Sequence, residues 1–150
     1  MIQELKSRTN FNSPKLTRCY RKFGSLLDEL RNRELSQNVI NQINQELNLI
    51  NQQHDEKTLK KLISKKQYKI IKLIEKEHKI VPKGYYRNMW LALGMSVFGI
   101  PFGVAFGAAL SNMAFLGIGI PIGMSIGIAI GAQKDNEAAK KGLQLDFQWG

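Results

Sequence analysis

The sequence predicts an all-α fold: a small N-terminal domain of about three amphipathic helices, followed by a two-helix transmembrane hairpin. Three observations predict it. Apolar residues recur at helical spacing through the first eighty positions. The run from Asn88 to Gln133 holds 46 residues without one Asp, Glu, Lys, Arg or His. Within that run small residues fall on every fourth position: Gly99, Gly103, Gly107 and Ser111, then Gly119, Gly123, Gly127 and Gly131, with only Phe115 breaking the series. Spacing of four places them on one helix face, where a missing side chain lets another backbone approach. In water so many helical glycines would each cost about 1 kcal/mol relative to alanine. In a bilayer the backbone has no water to turn to, so helix persists and small faces become contact surfaces.

Residues 1–12 carry no clear period and read as a flexible arm. Ser13-Pro14 opens the first helix, a capping hydroxyl followed by proline at the first helical position. Leu16, Cys19, Tyr20, Phe23, Leu26, Leu27 and Leu30 form its apolar stripe, and Arg18, Arg21, Lys22, Asp28 and Glu29 lie off it. Ser36 is a second cap, ahead of the stripe Val39, Ile40, Ile43, Leu47 and Ile50, whose polar face is Asn and Gln rather than charge. Asp55 caps a third helix to about Val81, with Leu59, Leu62, Ile63, Ile70, Leu73 and Ile74 inward. Pro82 and Gly84 stop it.

Charge is distributed unevenly. The net +10 of the chain sits almost wholly in residues 57–88, which hold eleven basic and two acidic side chains. A basic block directly before an apolar run is the positive-inside pattern, a simpler reading than nucleic-acid binding. Lys65, Lys66, Lys69, Lys72, Lys76, Lys79 and Lys83 are the expected contacts to anionic lipid. Tyr85, Tyr86, Arg87 and Trp90 follow, aromatic residues with a cation at the edge of the run, and read as an interfacial anchor.

The two spans are expected at 89–110 and 113–132, each about 30 Å of helix and matched to a hydrocarbon core. Ser111-Asn112 leaves room for a tight turn alone, so the region 85–132 becomes an antiparallel hairpin. Lysines before the first span and Lys134, Lys140 and Lys141 after the second put the helical region 13–84 and the tail 133–150 on the cytoplasmic side. Residues 98–110 (FGIPFGVAFGAAL) also align with 118–130 (IGIPIGMSIGIAI), so each span plays the same packing role. The shared Pro101 and Pro121 remove one backbone donor each and are expected to kink the helices near mid-membrane. Ser96 and Ser125 are either hints of a lumen or, the favoured reading, hydroxyls bonded to the preceding turn. The tail continues the second helix toward Gly142. Leu143, Leu145, Phe147 and Trp149 then alternate, as a short strand or as an aromatic return to the interface.

The glycine series of 94–142, running into the charged Gln133-Lys134-Asp135, resembles small bacterial membrane proteins of the glycine-zipper type. The resemblance covers about a third of the chain and implies close helix packing, often homo-oligomerisation, and in some members perturbation of membranes. The expected location is a bacterial inner membrane. Residues 1–88 resemble no family, and the chain shows neither a signal peptide pattern nor a lipidation cysteine.

Catalytic chemistry is not expected. His54 and His78 lack ligand-spaced partners, no glycine loop leads into Lys-Ser/Thr, and no G-x-S-x-G elbow occurs. The run holds no charge for a proton relay. The single cysteine, Cys19, fits a reducing compartment and a buried structural thiol. Neither metal nor cofactor is called for. The leading reading is therefore an integral membrane protein that self-associates through its glycine faces and displays a basic helical domain, pressed to anionic lipid, for interaction with a cytoplasmic protein partner or with its own copies. A pore-forming effector is the alternative. A soluble oligomer binding lipid surfaces or nucleic acid is a distant third.

Overall fold

The computed structural model describes residues 1–8 and 11–148. They divide into two units, one through Ile80 and the other from Val81 onward. The boundary falls four residues ahead of the expected one, because Val81 belongs to a strand of the second unit.

Unit 1 is built from α1 (Pro14–Arg31), α2 (Gln37–Gln52) and α3 (Glu56–His78). Each apolar stripe turns inward. Phe23, Leu26, Leu27 and Leu30 of α1, Val39, Ile43, Leu47 and Ile50 of α2, and Leu59, Ile63, Ile71 and Ile74 of α3 are all fully buried, with α3 packed against both other helices. Cys19 is half-buried at the margin of this core. The caps work unequally. Asp55 accepts from Thr58 N at 2.8 Å, a bond that holds its carboxyl below the usual range. Ser13 and Ser36 make no side-chain cap. Helix α3 ends at His78, short of the expected Val81, with Lys79 in the left-handed region at φ 58.

Residues 1–8 of the expected loose arm are fastened to unit 1, while residues 9 and 10 lie outside the described residues. Ile2 is buried, and Asn44 Oδ1 accepts from Gln3 N at 2.8 Å. Asn51 Oδ1 accepts from Lys6 N and its Nδ2 donates to Glu4 O. Tyr20 donates its hydroxyl to Lys6 O at 2.7 Å, and Arg8 donates to the carbonyls of Asn51 and Gln53. The amides that gave α2 an uncharged polar face therefore satisfy the backbone of an extended segment that has no ladder of its own.

Unit 2 contains β1 (Val81–Lys83), α4 (Tyr85–Ala109), a 3-10 turn at Met113–Phe115, α5 (Leu116–Lys140) and β2 (Gln144–Gln148). The helical fold class holds, with a two-stranded parallel sheet added to it: Val81 pairs with Gln144 and Pro82 with Leu145. The open question at the tail thus resolves as a strand, with Leu145 and Phe147 buried and Asp146 exposed between them; Trp149 lies outside the described residues. Lys83 Nζ and Asp146 Oδ1, 2.5 Å apart, close the pair. Gly84 at φ +75 turns the chain from strand into α4.

Candidate functional site: the glycine-faced helix pair

Helices α4 and α5 run antiparallel with backbone against backbone. A Cβ added at Gly119 would stand 2.6 Å from Gly103 Cα; at Gly123, 2.6 Å from Gly99 Cα; at Gly127, 3.1 Å from Leu91 Cα; at Gly131, 2.5 Å from Arg87 Cα. Real Cβ atoms essentially never come within 3.0 Å of another heavy atom, and at Gly127 the carbonyl of Trp90 lies nearer still than the Leu91 Cα, so none of the four positions has room for even an alanine. Gly99, Gly103, Gly107, Gly119, Gly123, Gly127 and Gly131 are all buried, whereas Ser111 is exposed at φ 50 in the turn. The small face is thus spent inside one chain. Within the chain it closes the two helices on each other.

One glycine of this interface lies off the four-residue count. Gly94 precedes Gly99 by five residues, and a Cβ there would stand 2.9 Å from Gly127 Cα. The stretch Gly94–Gly99 is a π-helix, with Ile100 N donating to Met95 O. One extra residue in the turn restores the phase, so Gly94 and Gly99 face α5 together. The wide turn lies directly ahead of Pro101. A proline lacks the N–H and crowds the carbonyl of the preceding turn, and a wider turn just ahead of it relieves both. Pro121 sits inside α5 without interrupting it. Ser96 Oγ donates to Ala92 O at 3.0 Å and Ser125 Oγ to Pro121 O at 2.9 Å, the local bonding favoured above.

At the base of the pair Asp135, itself buried, accepts from Tyr86 N and Arg87 N at 3.0 Å each. Gly84 offers no side chain to the opening turn of α4, so a carboxylate from the neighbouring helix satisfies its amide donors and faces the positive end of its dipole. Gln144 donates to Asp135 O and ties β2 to the same spot. Sequence reasoning missed Gly94 and Asp135. A five-residue step between glycines was the available signal for the first; an acid just past the end of an uncharged run was the signal for the second.

The expected anchor residues separate. Arg87 is exposed, Tyr86 half-buried, and Tyr85 buried with its ring edge-on to Tyr86 at 5.3 Å. Trp90 Nε1 is covered and has no acceptor among the described residues, so it does not present the wet N–H of an interfacial tryptophan; Lys134 Nζ lies 6.0 Å from the ring centroid.

The basic side chains separate too. Lys66, expected to face lipid, is turned inward onto Glu46 of α2, where its side chain is 14% exposed. Lys69 Nζ reaches the other oxygen of Glu46 at 2.5 Å while staying open to solvent. Burial works against the charged carboxylate, yet the two ammonium groups together hold Glu46 below the usual range. Lys72 lies over the Tyr68 ring at 5.1 Å, and Lys65, Lys76 and Lys79 are exposed, Lys76 within 3.8 Å of Glu77. Lys83 is engaged in unit 2 by Asp146.

Outward from the glycine seam the pair is apolar. Val97, Ile100, Val104, Phe106, Leu110 and Ile118 are each 46–56% exposed. Among the described residues one helix, Tyr85–Ala109, is long and apolar enough to cross a membrane, with mean hydropathy 1.8. No group of three or more His, Cys, Asp or Glu converges among the described residues. Compared with known protein families, curated proteins and solved structures, the chain matches none.

Proposed function

We propose that this is an integral membrane protein whose helix pair lies in the bilayer and whose basic helical unit serves as a docking module for anionic headgroups and a protein partner. The observation that carries this reading is the inverted burial of α4. Its apolar window is only 22% covered by the protein, where the core helix of a water-soluble domain would be mostly covered. Large side chains point outward and glycines inward, the reverse of a soluble helix. Leaving such a surface in water is costly in proportion to its area; facing lipid it costs nothing. Both helices span in this reading, and the lysines flanking α4 and α5 favour the cytoplasmic side for both ends of the pair. The exposed Lys65, Lys76 and Lys79 supply the attraction to anionic lipid. In this reading contact between copies uses the outer faces, since the glycine faces meet within the chain.

Alkaline carbonate extraction of membranes, followed by protease treatment of sealed vesicles, tests the reading. The chain should stay with the membrane and leave a protected fragment covering about residues 88–133. Recovery as a detergent-free monomer in the soluble fraction would sink it.

A further inference from the structure

We infer that the helix pair enters the bilayer tip first, from the side that keeps unit 1, with no translocation machine; this rests on the membrane reading above and adds a route to it. The obstacle to passing a hairpin through a membrane is the polar matter at its tip, chiefly charge and unpaired backbone. Here the tip carries no charge, and several of its backbone donors are paired. No ionisable side chain occurs between Asn88 and Gln133. The turn closes on itself: Ser111 N donates to Ala108 O at 3.3 Å and Asn112 N to Gly107 O at 2.9 Å. Beyond it, Ala114 N donates to Asn112 Oδ1 at 2.9 Å and Phe115 N to Asn112 O at 3.2 Å. Asn112 thus spends its side-chain oxygen inside the turn, which lowers the number of polar groups the tip must desolvate. At the other end everything resists entry. Arg87, Lys134, the Lys83–Asp146 pair and the Asp135 carboxylate on the opening turn of α4 gather at the base and stop the pair there. The glycine seam lets the two helices close on each other without a partner, so they cross as one unit.

The test makes the full chain by cell-free translation in the presence of protein-free vesicles of phosphatidylethanolamine and phosphatidylglycerol. Protected fragment and carbonate resistance are compared with protein recovered from living cells. The wild-type chain should give the same protected fragment in both. Ser111→Lys with Asn112→Lys should lower the protected fraction in protein-free vesicles about ten-fold or more, since two charges must now cross. Asn112→Ala frees Ala114 N without adding charge, so it should lower the protected fraction only slightly and far less than the two lysines do. Protection in cells but not in protein-free vesicles would overturn the route and leave the membrane reading standing. Equal insertion of the double-lysine chain, or equal failure of Asn112→Ala, would overturn it as well. Loss of carbonate resistance in the cell-derived protein would instead defeat the membrane reading itself.

Discussion

Gly123 and Gly99 stand so close that a methyl group on the first would lie 2.6 Å from the Cα of the second. Contacts of this kind recur along the seam, so the separation of α4 and α5 is set by the two main chains. Gly123→Ala should therefore force the helices apart, and Gly123→Leu should destabilise the pair by about 3 kcal/mol or more. Gly117→Ala is the control, because nothing lies within 4 Å of a Cβ there. Thermal unfolding in detergent, with a disulfide reporter spanning the two helices, would separate them. Equal behaviour of the Gly117 and Gly123 variants would show that the seam does not hold the pair.

The π turn makes a separate prediction. Deleting Val97 brings Gly94 and Gly99 to a spacing of four and removes the need for the wide turn, but leaves Pro101 crowding the turn before it. The deletion should be tolerated, within about 1 kcal/mol of wild type, only when combined with Pro101→Ala. Inserting an alanine after Val104 rotates the remaining glycines off the seam and should be far more damaging. The melting temperatures of the variants decide the matter.

Asp135→Ala leaves the opening amides of α4 without their acceptor. A loss of about 1 kcal/mol is expected, read most directly as faster hydrogen exchange at Tyr86 and Arg87. Asp135→Asn keeps one acceptor oxygen and should lose less.

Glu46 links unit 1 to pH. Its folded carboxyl titrates below the ordinary 4.5, so the Lys66 and Lys69 contacts contribute fully above that value and are lost as pH falls through the lower folded one. Glu46→Gln should weaken unit 1 at neutral pH by about 1–3 kcal/mol, because it strands a largely covered Lys66. It should also flatten the acid limb below about pH 4.5. Hydrogen exchange at Ile43 and Ile70 across that range would show both effects, and an unchanged acid limb would rule Glu46 out as its source.

Periodicity made most of this architecture readable. The stripes of α1, α2 and α3 followed from spacing alone, as did the glycine face and the turn at Ser111-Asn112, because each depends on neighbours three or four residues away. What periodicity could not reach were the pairings between distant positions. Nothing local tells Asn51 to hold Lys6, or Leu145 to lie beside Pro82, or Lys66 to leave the lysine face for Glu46. The step of five from Gly94 to Gly99 looked like noise against a count of four, yet it marked the π turn. Glycine spacing alone likewise does not say whether the facing backbone belongs to the same chain or to another.

A seam of touching main chains has a final consequence. Along the glycine seam there is no room for a side chain, and so none for an ion or a water file to thread there. A channel would have to be walled by several pairs side by side, its rim drawn from the Val, Ile and Phe side chains that now point away from the seam. Such a rim would be oily and wetted poorly, and any passage it framed would begin closed.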